Sequence, residues 1–218
     1  MKIHIITIFP EMFESYFKSS IMSKAVEKWF LELFFYKLND FSSKKTKRVD
    51  EKAYWMHWQV LSPDPLSKSI EFIFWRIGKK IPVIYMSPRW ELLNQEKIEN
   101  YNKILWEEFI IICGHYEWID QRIIDLYVTH EVSIGEYIIS SWELASIILI
   151  DSIVRIIPWV IWNKLSYIEE SFSKKLDRKK EYPLYTKPEN FKWLKVPEIL
   201  LSGNHKKIEN WKISNLKT

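Results

Sequence analysis

The sequence predicts an α/β protein with a mostly parallel β-sheet, followed by a small helical domain. Three observations carry this. Short β-branched runs recur through the first three quarters of the chain without polar alternation, as in strands buried on both faces. Helix-like stretches separate them, the order of crossover-connected parallel sheets. The charge then changes: residues 163–218 hold 13 Lys+Arg against 7 Asp+Glu, while residues 1–162 hold 19 against 21.

The first predicted strand runs from Lys2 to Ile8 and halts at Phe9-Pro10. The others are Ile81 to Met86, Glu108 to Cys113 and Tyr137 to Ile139. A helix is expected to begin over Met12 to Phe17, with others over Leu66 to Ile77 and Glu91 to Tyr101. Trp142 to Ile156 reads as a long buried helix with Glu143 in its first turn. Phe41 to Val60 is polar and irregular and reads as a long exposed loop. Loops beyond about 12–15 residues are usually functional or disordered. Asn163 to Tyr182 lacks apolar periodicity and reads as an interdomain linker. Tyr185 to Thr218 has the apolar content of a helical domain too small to stand without docking.

The chain has 218 residues, 47% apolar and 28% charged, which excludes a disordered tail, a collagen-like fibre and a disulfide scaffold. Its single cysteine, Cys113, forbids an intrachain disulfide and fits a reducing compartment, the cytoplasm. No secretory leader pattern opens the chain. The apolar stretch Ile138 to Trp162 contains Glu143, Asp151 and Arg155, which a membrane span would have to bury. The net charge of +4 conceals the basic C-terminal part, which suggests a polyanion partner. A merely solvated basic surface is the alternative.

No metal framework is visible: His4, His57, His115, His130 and His205 are scattered, with no His-Glu-x-x-His or Cys-x-x-Cys spacing. His4 reads as a satisfied strand residue and Cys113 as a core thiol. The absence of a Walker A loop and of a Gly-x-Gly-x-x-Gly turn lowers the case for a nucleotide hydrolase or a dinucleotide oxidoreductase. Three strand-to-loop junctions stand out: Tyr85 to Leu92, Cys113 to Arg122 and Glu131 to Leu144. In open α/β sheets ligands bind at the carboxyl ends of strands, so three loops meeting there could hold a small cofactor by backbone hydrogen bonds. Plain turns are the alternative. Glu117, Asp120, Glu131, Glu136 and Glu143 lie in or beside these loops, with Arg122 and Arg155 as counter-charges. Glu117 and Arg155 are candidate site groups, or members of structural salt bridges.

Read in order, these loops resemble the bacterial tRNA (guanine-N1)-methyltransferase family of the SPOUT class. The matching stretches are Ile8-Phe-Pro-Glu-Met-Phe13, Tyr85-Met-Ser-Pro-Arg-Trp90, Cys113-Gly-His-Tyr-Glu-Trp-Ile-Asp120 and Ser133-Ile-Gly-Glu-Tyr-Ile-Ile-Ser140. Asp151-Ser-Ile-Val-Arg-Ile-Ile-Pro158, Glu181-Tyr-Pro-Leu-Tyr-Thr-Lys-Pro188 and Val196-Pro-Glu-Ile-Leu-Leu-Ser-Gly-Asn-His205 continue the series. They span nearly the whole chain in the family's order.

The resemblance implies a SPOUT-type sheet with a C-terminal trefoil knot over residues 1–162, a linker over 163–180 and a small, truncated, basic tRNA-binding domain over 181–218. It implies methyl transfer from S-adenosylmethionine to N1 of guanosine 37 in tRNA, by a homodimer whose site combines both subunits. Tyr85, Met86, Ser87 and Pro88 match the first cofactor loop, and Gly114, Tyr116, Glu117 and Trp118 the second. Ser133, Ile134, Gly135, Tyr137, Ile139, Ser141 and Trp142 match the third. Arg155 matches an arginine that assists the base, and Glu181 the general base, with Asp177 as rival because the preceding linker looks longer than in familiar members. A Mg²⁺ ion is reported for some of the family; no metal ligand is assigned here. His115, Ser141 and Ala145 depart from the usual residues, and the Tyr54–Leu61 loop is shorter.

Composition holds an anomaly: 12 Trp and only 4 Gly, where ordinary usage of about 7% predicts roughly 15 glycines. Family glycines fall on Trp29, Trp55, Trp58, Trp90, Trp118, Trp142, Trp159, Trp162 and Trp193, with Trp75 and Trp106 undecided. This reads as a gene from an organism that decodes UGA as glycine, translated with a table that decodes it as tryptophan. Two further readings stay open: a SPOUT methyltransferase acting on another RNA site, and a non-catalytic RNA-binding descendant.

Overall fold

The computed structural model describes residues 1–55, 57–105, 107–114, 118–161 and 168–217. The chain divides into two units, Met1–Ile161 and Trp162–Thr218.

The first unit is built on a five-stranded parallel sheet of order β2-β1-β6-β5-β8. Its strands are β1 (Lys2–Thr7), β2 (Glu32–Lys37), β5 (Val83–Met86), β6 (Glu108–Ile112) and β8 (His130–Val132). Alternation along each inner strand sends its residues to opposite faces. Ile3, Ile5, Ile84, Met86, Phe109 and Ile111 join one core; Ile6, Val83, Tyr85, Ile110 and Ile112 join the other. The first core is shared with α1 (Glu11–Phe17), α2 (Ser20–Glu27), α4 (Gln95–Ile104) and α6 (Trp142–Val154). The second is covered by α3 (Pro63–Ile77) and α5 (Gln121–Tyr127). Both faces are covered, which is why the inner strands β1, β5 and β6 read as largely apolar runs.

His4 is the polar exception in β1. It lies buried between the Tyr36 hydroxyl, 2.9 Å from Nδ1, and Glu108 Oε1, 3.0 Å from Nε2. A buried imidazole with both nitrogens partnered is a satisfied core residue.

Several expectations need correction. Tyr137–Ile139 is not a strand; the sheet's edge strand is β8, and the Ile138 side chain is exposed. A three-residue apolar run beyond the edge finds no ladder partner. The helix expected from Glu91 begins at Gln95, where the Asn94 side chain caps it by accepting from Lys97 N–H at 2.9 Å. The long loop 41–60 contains β3 (Asp50–Lys52) and the start of β4 (Gln59–Leu61), antiparallel to each other, and β4 pairs in parallel with β7 (Trp118–Ile119). Arg48 fastens this small sheet by a two-pronged ion pair to Asp50, at 3.0 and 3.1 Å. These strands are too short and polar to announce themselves by periodicity, as are α2 and α5.

The second unit has a hairpin of β9 (Asn190–Phe191) and β10 (Leu194–Lys195), then α7 (Glu198–Leu201) and α8 (His205–Ser214). Lys180 and Lys217 pair their backbones, at 2.9 and 3.1 Å. Glu169 gathers Lys175, Lys212 and the Tyr182 hydroxyl. Among the described residues here, only Ser173 and Leu176 are buried.

Candidate active site

The carboxyl ends of β5, β6 and β8 meet at one edge of the first unit. β5 and β8 remain paired past their ends: Ser87 N–H donates to Val132 O at 2.9 Å. The loops that follow are stitched together, Leu93 N–H to Ser133 O at 2.7 Å and Ser133 N–H to Glu91 O at 3.3 Å. The Ser133 hydroxyl then closes a tight turn on Gly135, accepting from its N–H at 3.3 Å. A Cβ on Gly135 would overlap Cε1 of the exposed Tyr137 ring, so the Tyr137 side chain packs over the bare Gly135 backbone.

The loop after β8 enters α6 through Ser141. This residue does not cap the helix with its side chain. Its hydroxyl donates instead to Glu143 Oε2 at 2.7 Å, and Thr7 at the end of β1 donates to Glu143 Oε1 at 2.6 Å. Thr7 Oγ1 in turn accepts from Phe9 N–H at 3.0 Å. Glu143 is fully buried, and among the described residues no cation pairs with it. Two hydroxyl donors and the N-terminal turn of α6 satisfy its oxygens. Beside it, Cys113 Sγ lies 3.1 Å from Ser146 Oγ. Burial, and then the Glu143 carboxyl, push the Cys113 thiol well above its usual pKa, the state of an inert core thiol.

Met86, Ser87, Pro88, Ser133, Ile134, Gly135, Tyr137, Ile139 and Trp142 line one hollow of about 10 Å³. Nine of the residues expected to hold a cofactor are thus brought together. Gly114 lies against the Trp142 indole: a side chain there would meet Cδ1 at 3.0 Å. Tyr85 packs on the same indole, ring centres 6.3 Å apart. Its buried hydroxyl has no hydrogen-bond partner among the described residues, and burial pushes its pKa up. Trp118 is half-buried under the Arg89 guanidinium, 4.7 Å from the ring centre. Tyr116 and Glu117 lie outside the described residues. Asp120 caps α5 and pairs with Arg122 at 2.8 Å, a local structural bridge.

Arg155 follows the last turn of α6, where a cation complements the helix dipole. Glu181 and Asp177 belong to the second unit. The Glu181 N–H donates to Ser171 Oγ at 3.0 Å, and the exposed Asp177 stands 4.0 Å from Lys179. Among the described residues no group of three or more His, Cys, Asp or Glu side chains is placed to hold a metal ion. None of their helices is long and apolar enough to cross a membrane. Sequence reasoning missed Thr7, Ser146 and the clamp on Glu143. The signal for the clamp was a carboxyl in the first turn of a largely apolar helix.

A family model described as tRNA (Guanine-1)-methyltransferase TrmD matches residues 1–218. The chain belongs to this family. A tRNA (guanine-N(1)-)-methyltransferase of Clostridioides difficile (strain 630) is 46% identical over 214 residues, covering 97% of this chain and 90% of that relative. Its counterpart in Bacillus cereus (strain AH820) is 41% identical over 213 residues, covering 97% and 85%. The crystal structure of the tRNA (m1G37) methyltransferase from Aquifex aeolicus superposes with a TM-score of 0.78 at 32% identity, covering 98% of this chain and 88% of that one. As a tRNA (guanine-1)-methyltransferase family member the chain is an enzyme of tRNA modification that uses a methyl donor.

Proposed function

We propose that the chain methylates N1 of guanosine 37 in tRNA, with S-adenosylmethionine as donor, as a homodimer with a trefoil-knotted first domain. The family match over residues 1–218 carries this reading. The meeting of the loops after β5 and β8 around Ser87, Ser133 and Gly135, with Gly114 after β6 against Trp142, supports it.

The donor does not fit the hollow as the side chains stand. About 10 Å³ holds roughly one water molecule, and the Trp142 indole fills the space beside Gly114. The family resemblance assigns the proton transfer to the chain's own side chains. Guanine N1 carries a proton near neutral pH and is a poor nucleophile until it loses it. A carboxyl group within hydrogen-bond reach takes that proton; Glu181 is the proposed base and Asp177 its rival. Charge then develops on guanine O6, and Arg155 is the proposed cation that stabilises it. The base must leave its stack first, and the basic residues of 162–218 offset that cost by gripping phosphates.

The test offers the native protein labelled S-adenosylmethionine and tRNA transcripts bearing G37 or A37. Label on N1 of G37 alone is expected. Label on A37 overturns the base assignment, and tRNA binding without transfer favours the non-catalytic descendant.

A further inference from the structure

We infer that the native chain carries glycine at positions 29, 142 and 159, and that the indole written at 142 occupies the space of the methyl donor. The two halves rest on different observations. At 29 and 159 the argument is backbone geometry, independent of function; at 142 it is packing, and the blockade rests on the proposed donor site.

Helix α3 ends in the ordinary way. Gly78 takes a left-handed conformation, φ +79°, and donates to Phe74 O at 2.8 Å. Helix α2 is followed by a residue of the same left-handed φ, but it is Trp29, φ +61°, and the bonds differ. Trp29 N–H donates to Val26 O at 3.0 Å and Phe30 N–H to Ala25 O at 2.9 Å. This pair of bonds is the Schellman motif, whose left-handed position belongs to glycine. Trp159 repeats the conflict in a turn. Val160 N–H donates to Ile157 O at 3.2 Å, Pro158 holds the first central position, and Trp159 the second at φ +76°. Proline followed by positive φ defines a type II turn, which requires glycine there.

Positive φ alone does not single these residues out, since Ser20, Lys47, Phe172, Asp177, Arg178 and Lys192 share it. The hydrogen bonds do not either: Asp177 N–H donates to Lys174 O at 3.1 Å and Arg178 N–H to Ser173 O at 3.0 Å, the pair seen at Trp29, and Ser173 N–H donates to Glu170 O at 3.0 Å around Phe172, as at Trp159. What singles out positions 29 and 159 is the tryptophan there, in a chain with 12 Trp and 4 Gly. Nor does burial compensate: Trp29 is 76% exposed and Trp159 67%. Seven of the ten described tryptophans are exposed, although tryptophan is among the most buried residues on average.

Position 142 shows the opposite symptom. Its indole is buried against Tyr85 and against the bare Cα of Gly114, and it closes a hollow lined by Ser87, Ser133 and Gly135. Without that side chain the space between Gly114 and the loops after β5 and β8 would be larger. A single cause covers both symptoms and the count of 12 Trp to 4 Gly: one codon, UGA, written as tryptophan and decoded in the cell as glycine.

Peptide mass spectrometry of the native protein decides the first half. Glycine is expected at 29, 142 and 159; tryptophan at 29 and 159 overturns it. In the chain made as written, Trp29→Gly and Trp159→Gly should each raise the melting temperature by about 2–4 °C; no rise in either also counts against it. For the second half, calorimetric titration with S-adenosylmethionine compares the written chain with its Trp142→Gly variant. At least about a tenfold gain in affinity is expected, and equal binding overturns the blockade. Should the written chain fail to fold, glycine at 142 in the native peptides together with donor binding by the native protein supports this half, and tryptophan at 142 with binding overturns it. Native glycine at all three positions without donor binding refutes the donor site while the backbone inference stands.

Discussion

Thr7 and Glu143, 136 residues apart, are joined by a 2.6 Å hydrogen bond that ties the end of β1 to the head of α6. Ser141 completes the clamp from the loop that precedes the helix. Removing the carboxyl strands two buried hydroxyls. Glu143→Ala is expected to lower stability by about 1–3 kcal/mol, read as a shift in the urea midpoint with an unchanged slope. Glu143→Gln keeps one acceptor oxygen and should cost less.

Histidine 4 sets a pH response. Burial lowers its pKa below the ordinary 6.5, with Glu108 pulling the other way. The fold thus favours neutral imidazole, and below about pH 6.5 the unfolded chain binds more protons. Stability is fully present above that pH and falls as pH drops toward the lowered folded value. His130 is shifted the same way by burial. Urea melts between pH 7.5 and about 5 should therefore show declining stability, with a shallower decline in His4→Phe.

The two carboxyl candidates separate kinetically. In the glycine-bearing chain, Glu181→Gln is expected to lower kcat by about 10²–10⁴ with little change in KM. Asp177→Asn should leave kcat within a few-fold. The reverse pattern in single-turnover methyl transfer would assign the base to Asp177.

Binding of tRNA should depend steeply on salt. If the basic residues of 162–218 neutralise phosphates, the logarithm of affinity falls linearly with the logarithm of salt. Replacing Lys206 and Lys207 at the start of α8 by alanine should reduce the slope by about one for each phosphate no longer neutralised. An unchanged slope, measured by filter binding, removes them from the interface.

The central sheet was legible because β1, β5 and β6 are buried on both faces and so are mostly apolar, with His4 and Thr7 inside β1 and Lys2 and Glu108 at strand starts as the polar residues. Strand β2 was not: Glu32 and Lys37 bracket it, and of its six side chains only Tyr36 is buried. The three loops were legible as candidates from their place after strands, and their identity came from the family motifs. The Glu143 clamp was hidden because its partner Thr7 belongs to a different strand, and no local pattern encodes that pairing. Trp29 and Trp159 were legible as a compositional excess, but their conflict with the chain path needed dihedral angles.

The stitching of Leu93 and Glu91 to Ser133 joins two segments some forty residues apart into a single lip. Parting the two segments breaks both bonds at once, so hydrogen exchange at the Leu93 and Ser133 amides is expected to report one shared opening free energy.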